Sequence, residues 1–172
     1  MSTASRTMDG KRISFEVPGV PMAWKRARAT VRFGHASMFE DKLQTSYKAD
    51  VRSYLRKQCG KVEAYAGAVS LSLEFVFPLL KSDFKKDGTP SKSGMRKLSG
   101  EEAMAKKPDI DNLCKMVMDA LNGVAWLDDS QVCLLSAEKR YGSEPKTVIE
   151  LRYGGDRAKN PASAHRTERK GE

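Results

Sequence analysis

The amino-acid sequence predicts one α+β domain: a mixed β-sheet backed by helices, in the order β-α-β-α-β-β. Three observations carry this. The chain has 172 residues, the size of one domain that buries roughly 70% of the surface exposed by its unfolded chain. Hydrophobic residues make up 40% and charged residues 31%, the balance of a globular chain rather than a disordered or fibrous one. Period-two and helical hydrophobic patterns then follow one another along the sequence.

Ile13, Phe15 and Val17 alternate with Ser14 and Glu16, which predicts a half-buried strand ended by Pro18-Gly19. A basic turn follows, in which Lys25, Arg26, Arg28 and Arg32 surround Trp24 with no intervening acid, and a hairpin fits residues 28–39. Leu43, Tyr47, Val51, Tyr54, Leu55 and Gln58 recur at helical spacing, predicting an amphipathic helix over 42–59 closed by Gly60. From Val69 the clearest strand begins, with Val69, Leu71, Leu73, Phe75 and Phe77 on one face. Residues 81–107 lack periodicity and carry eight basic residues against four acidic ones; they are expected to form a mobile basic loop. A helix over about 109–122 follows, then strands near 131–140 and 146–153, the last with Thr147, Ile149, Leu151 and Tyr153 on one face. The domain is thus expected to end at 153, with residues 154–172 a disordered tail.

Composition narrows the function. The most apolar stretch, Val69 to Leu80, is too short and too interrupted to span a bilayer, and the N-terminus has no apolar run behind its charges. A membrane role is excluded and a cytoplasmic location expected. Cys59, Cys114 and Cys133 form no C-x-x-C pair, and His35 and His165 are the two histidines. A zinc site or disulfide framework is therefore not expected, and the cysteines read as small buried hydrophobes. With 31 Lys and Arg against 22 Asp and Glu, the formal charge of +9 suggests a polyanionic partner.

The informative stretch is residues 107–132, K-P-D-I-D-N-L-C-K-M-V-M-D-A-L-N-G-V-A-W-L-D-D-S-Q-V. On a helical wheel, Leu113, Met116, Val117, Ala120 and Leu121 cover the face that must pack on the sheet, while Asp111, Lys115, Asp119 and Asn122 form the opposite stripe. Asp109 stands at the helix entrance, and Asp128-Asp129 follows in a loop. Singly, each acid reads as a helix cap or as half of an i,i+4 pair. Together, in a basic protein, they read as a cation site. Mg²⁺ suits such a cluster, since it takes a few aspartate oxygens and keeps waters and substrate phosphate as its other ligands. That is the chemistry that phosphodiester cleavage requires, with a lysine facing the phosphate. The basic segments at 24–32 and 81–107 would hold the flanking backbone; Lys25, Arg26 and Arg28 are the candidate contacts. Trp24 and Trp126 could stack on bases, but each reads better as a core or hinge residue.

The blocks K-P-D-I-D-N-L-x-K, D-A-L-N-G and W-L-D-D-S-Q-V, with V-P-G-V-P-x-x-W-K-R-A-R near the N-terminus, resemble the RusA-type Holliday junction resolvases, endonucleases typical of prophages. The resemblance spans roughly residues 13–153, leaving out the detail of 81–107. It implies a RusA-like fold, with Asp109, Asp111 and Asp129 as the catalytic, metal-binding aspartates and Lys115 as the essential lysine. It also implies a homodimer that makes paired symmetric nicks in four-way junction DNA with Mg²⁺ or Mn²⁺, and no organic cofactor. Asp119 and Asp128 are not counted among the metal ligands. The wheel selects Asp111 and Lys115 independently but does not separate Asp129 from Asp128. A less selective metal-dependent DNA nuclease, or a non-catalytic nucleic-acid binder, would be the rival readings.

Overall fold

The computed structural model describes residues 10–154, apart from Ala27, Phe33, Gly34 and Glu40, and gives only the backbone at 28–32 and 35–39. The tail expected to be disordered therefore lies almost wholly outside the described residues. The elements are β1 (Arg12–Pro18), β2 (Arg28–Arg32), β3 (His35–Phe39), α1 (Lys42–Cys59), β4 (Val69–Pro78), α2 (Lys92–Leu98), α3 (Ile110–Leu121), β5 (Val132–Gly142) and β6 (Lys146–Tyr153). The α+β class, the mixed sheet and the expected hairpin are all present.

Alternation builds the sheet. Its strand order is β1-β6-β4-β5; β4 and β5 run parallel and the other pairs antiparallel. Registered residues share a face, so Ile13, Leu151, Leu71 and Leu135 form one row and Phe15, Ile149, Leu73 and Ala137 the next. These rows are buried up to β4 and open at the β5 edge, where Leu135 is 46% exposed. The other face carries ion pairs between Arg12 and Glu150, Glu16 and Lys146, and Glu74 and Arg140, as expected of a sheet with one face in water.

Helices α1 and α3 cover the apolar face. The Asp41 carboxylate caps α1 by accepting from Leu43 N–H at 3.0 Å. Leu43 itself is 64% exposed and Gln44 is buried in its place, because the Gln44 amide binds backbone rather than water. On α3, Leu113, Met116, Val117, Ala120 and Leu121 are all buried, as the wheel requires. Arg52 of α1 donates to the Ala120 carbonyl at 2.7 Å, satisfying a group at the end of α3. The cysteine expectation holds for one residue. All three thiols are free, but only Cys114 is buried; Cys59 is half-buried and Cys133 exposed.

Residues 81–107 contain more regular structure than a loop. A 3₁₀ turn at Lys81–Asp83 packs on helix α2, which packs against β5. A buried ion pair joins them, Lys97 Nζ to Asp83 Oδ1 at 2.6 Å, with Lys97 also 5.2 Å from the centre of the Tyr141 ring. Gly94 lets α2 approach closely, since a Cβ there would strike the Asp83 carbonyl. A sequence pattern misses this because the contacts span the turn instead of repeating along one helix.

That pair makes stability depend on pH. The Lys97 ammonium and the Leu80 N–H hold the Asp83 carboxyl below the usual carboxylate range, and Asp83 holds Lys97 above the usual lysine range. A depressed acid contributes stability above its unfolded pKa, near ~4, and loses it as pH falls through the lower folded value. A raised base contributes below its unfolded pKa, near ~10.4, and loses it as pH rises through the higher folded value. Thermal melts should therefore show the wild type losing stability at the acid end. Asp83→Asn should start from a lower midpoint at neutral pH and show a shallower acid-side decline. An unchanged acid slope would mean that the pair does not support the fold.

Candidate active site

Helix α3 carries the site because its two faces are used differently. The buried face fixes the helix on the sheet, and the opposite stripe lines a cavity of about 440 Å³ against the open β5 edge. Asp111, Lys115 and Asp119 enter it from α3, Asp129 from the turn before β5, and Leu135 and Ala137 from β5 itself. The stripe is thus a cavity wall rather than a solvated face. Asn122, its last member, is the C-cap of α3, and Gly123 (φ +72°) turns the chain away.

The two adjacent acids after α3 have different surroundings. The Asp128 carboxylate accepts from Ser130 N–H at 2.9 Å, capping the 3₁₀ turn Asp129–Gln131, and the Ser130 hydroxyl and then that N–H hold its carboxyl below the usual range. Asp129 instead lines the cavity, where its Oδ1 accepts from the indole N–H of the fully buried Trp126 at 2.8 Å. Gln131 fixes this turn with its whole amide. Its Oε1 accepts from Leu127 and Asp128 N–H, both at 2.8 Å, and its Nε2 donates to the carbonyls of Tyr65 and Gly67 at 2.8 and 2.7 Å.

Asp109 occupies the N-cap position of α3, yet its carboxylate makes no capping hydrogen bond. It is exposed and does not line the cavity shared by Asp111 and Asp129. The segment before it is held by Lys139 of β5, whose ammonium donates to the carbonyls of Lys106 and Pro108 at 2.7 and 2.8 Å. Asp119 is paired with Lys48 at 3.4 Å. Cys114 sits at the cavity wall, its thiol pushed up first by burial and then by Asp111.

The basic turn also reaches this helix. Trp24 N–H donates to the Asn112 carbonyl at 2.8 Å, and the Lys115 ammonium stands 3.6 Å from the centre of the Trp24 ring. Buried Gln44 grips Lys25 at both backbone groups, accepting from its N–H at 2.8 Å and donating to its carbonyl at 3.1 Å. The side chains of Lys25 and Arg26 are therefore exposed on a fixed backbone. Arg28 lies on β2, and its side chain is outside the described residues.

Sequence reasoning missed Gln131, Gln44 and Lys139, and gave the two tryptophans no part at the acids. Each of the first three has a partner 19–66 residues away, where no periodicity points. Among the described residues, no three carboxylate, imidazole or thiol side chains stand close enough together to hold a metal ion. Asp111 and Asp129 do share one cavity. Two carboxylates with waters and a substrate phosphate are a donor set that Mg²⁺ uses, so these residues fit that ion. Nor, among the described residues, is any helix long and apolar enough to cross a membrane.

Comparison with known proteins points to a family. The family model for endodeoxyribonuclease RusA matches residues 18–152. The chain is also 32% identical over 143 residues to the uncharacterized protein YqaN of Bacillus subtilis (strain 168), a match covering 81% of this chain and 95% of that protein.

Proposed function

Because the chain belongs to the RusA endodeoxyribonuclease family, we propose that it is a Mg²⁺-dependent endonuclease that resolves four-way DNA junctions by paired symmetric nicks. The observation that supports this reading is the shared cavity, which Asp111, Asp129 and Lys115 line beside a basic turn. Asp111 and Asp129 would hold the ion; Asp109, which the resemblance adds to the set, stands at the helix entrance outside their cavity. Bound there, Mg²⁺ supplies an activated water and offsets charge on the phosphate, and Mn²⁺ can take its place.

The chain's own groups do the rest. Lys115 presents an ammonium to the phosphate, where negative charge grows in the transition state. Trp126 fixes one oxygen of Asp129 by hydrogen bonding, which leaves the second free to turn toward a cation. Lys25, Arg26 and Arg28 hold the flanking backbone, together with the basic residues of 81–107. Resolving a junction takes two nicks related by two-fold symmetry, and a C₂ homodimer provides two identical sites for them.

The test incubates the protein with a synthetic four-way junction and with duplex and single-stranded DNA of the same sequence, with Mg²⁺ and with a chelator. Selective, Mg²⁺-dependent, symmetric cleavage of the junction by a species that sediments as a dimer is expected. Equal cutting of every DNA shape would favour a less selective nuclease, and binding without any cleavage would favour a non-catalytic binder.

A further inference from the structure

Asp111 and Lys115 stand four residues apart on α3 with the acid N-terminal, the spacing and direction in which helical ion pairs form. Such a pair would cancel the two charges on which the proposed site depends. It does not form: among the described residues the Lys115 ammonium makes no ion pair with Asp111, and its contact is the Trp24 ring, 3.6 Å from Nζ to the ring centre. Among the described residues the Asp111 carboxylate has instead only a neutral donor, the Asn112 amide at 3.3 Å.

We infer that Trp24 is a positioning residue: its indole face holds the Lys115 ammonium off the Asp111 carboxylate, so that one stays available to a phosphate and the other to a cation. This rests on the proposed nuclease reading and adds a residue to it. An aromatic ring attracts an ammonium through its quadrupole without carrying a charge. Lys115 therefore keeps its full positive charge and its remaining N–H donors, which a carboxylate partner would take up. The ring is set in place beforehand. Trp24 N–H is bonded to the Asn112 carbonyl in the first turn of α3, and the next residue is gripped by Gln44. Trp24 is also half-buried against the core, so the ring does not have to be ordered when Lys115 meets it. Its partner Lys115 is exposed at the cavity wall, within reach of an incoming phosphate.

Two measurements on the full chain without DNA test this. In NMR spectra of the wild type, the Lys115 ε-methylene protons, assigned by their disappearance in Lys115→Arg, should be shifted upfield by the indole ring current. In calorimetric titrations with Mn²⁺, Trp24→Leu should bind about two- to fivefold more weakly than wild type, the worth of such a contact at a partly exposed site. Trp24→Phe keeps an aromatic face and should stay near the wild-type affinity. Adding Lys115→Ala to Trp24→Leu should restore the affinity of Lys115→Ala alone, which a packing defect around Trp24 would not do. An unshifted lysine, a wild-type affinity in Trp24→Leu, or a weakening that persists in the double variant overturns the inference while leaving the aspartate site standing. A wild type that takes up no Mn²⁺, or one whose Mn²⁺ affinity is unchanged in Asp111→Asn, overturns the nuclease reading and this inference with it.

Discussion

Asp129→Asn should lower junction cleavage by about 10²-fold or more, the scale on which one preorganised electrostatic group acts in a site, while junction binding survives or tightens. The substitution is nearly isosteric. An asparagine carbonyl can still accept the Trp126 indole N–H that now reaches Asp129 at 2.8 Å, so the turn keeps its shape and loses only a charge. That charge is what a cation needs and what repels a phosphate, which is why cleavage and binding should move apart. Asp111→Asn should behave alike, from the same cavity. Asp109→Asn should also abolish cleavage without cost to the helix, since its carboxylate makes no capping bond and asparagine suits an N-cap as well as aspartate does.

Asp128→Asn is the contrasting case. Its carboxylate caps the turn through Ser130, a job that asparagine also does, so cleavage should fall by no more than a few-fold. The measurement is single-turnover cleavage of a junction beside a gel-shift titration without metal. If Asp128 proves essential and Asp129 dispensable, the assignment of the third aspartate is displaced by one residue.

The distinction between those neighbours marks where reading the sequence stopped. Hydrophobic period decided the strands and both long helices, because burying one face requires that pattern wherever it occurs. It placed Leu113, Met116 and Val117 inward and therefore Asp111 and Lys115 together on the other side. Period could not choose between Asp128 and Asp129, since a turn has none. Their surroundings differ through Trp126, which bonds Asp129, and through Gln131, which ties the turn to the carbonyls of Tyr65 and Gly67. Nor could it order the strands: β6 is last in the chain but lies between β1 and β4. In 81–107 the ordering contact is a buried ion pair between residues 14 apart, and charge-rich composition concealed it. Gln44 shows the same limit in miniature. A polar residue was buried for its bonds to a backbone, displacing Leu43 from the apolar face.

The second large effect separates chemistry from grip. Lys115→Ala removes the ammonium that faces the cavity and should slow cleavage by about 10²–10³-fold. Its effect on junction affinity should be small, because one cation contributes little to an interface that neutralises many phosphates. Replacing Lys25, Arg26 and Arg28 together by alanine should do the reverse. Binding should weaken on junction and duplex alike, since groups that hold the backbone carry no shape information of their own. The dependence of log affinity on log salt should also flatten by about 0.9 for each phosphate that is no longer neutralised. Cleavage at saturating protein should stay near wild type, because the exposed side chains of Lys25 and Arg26 stand outside the cavity. The same titrations at several salt concentrations read both effects. An unchanged salt slope in the triple variant would place those residues off the DNA. If Lys115→Ala weakened binding as much as cleavage, that lysine would hold backbone rather than meet the developing charge.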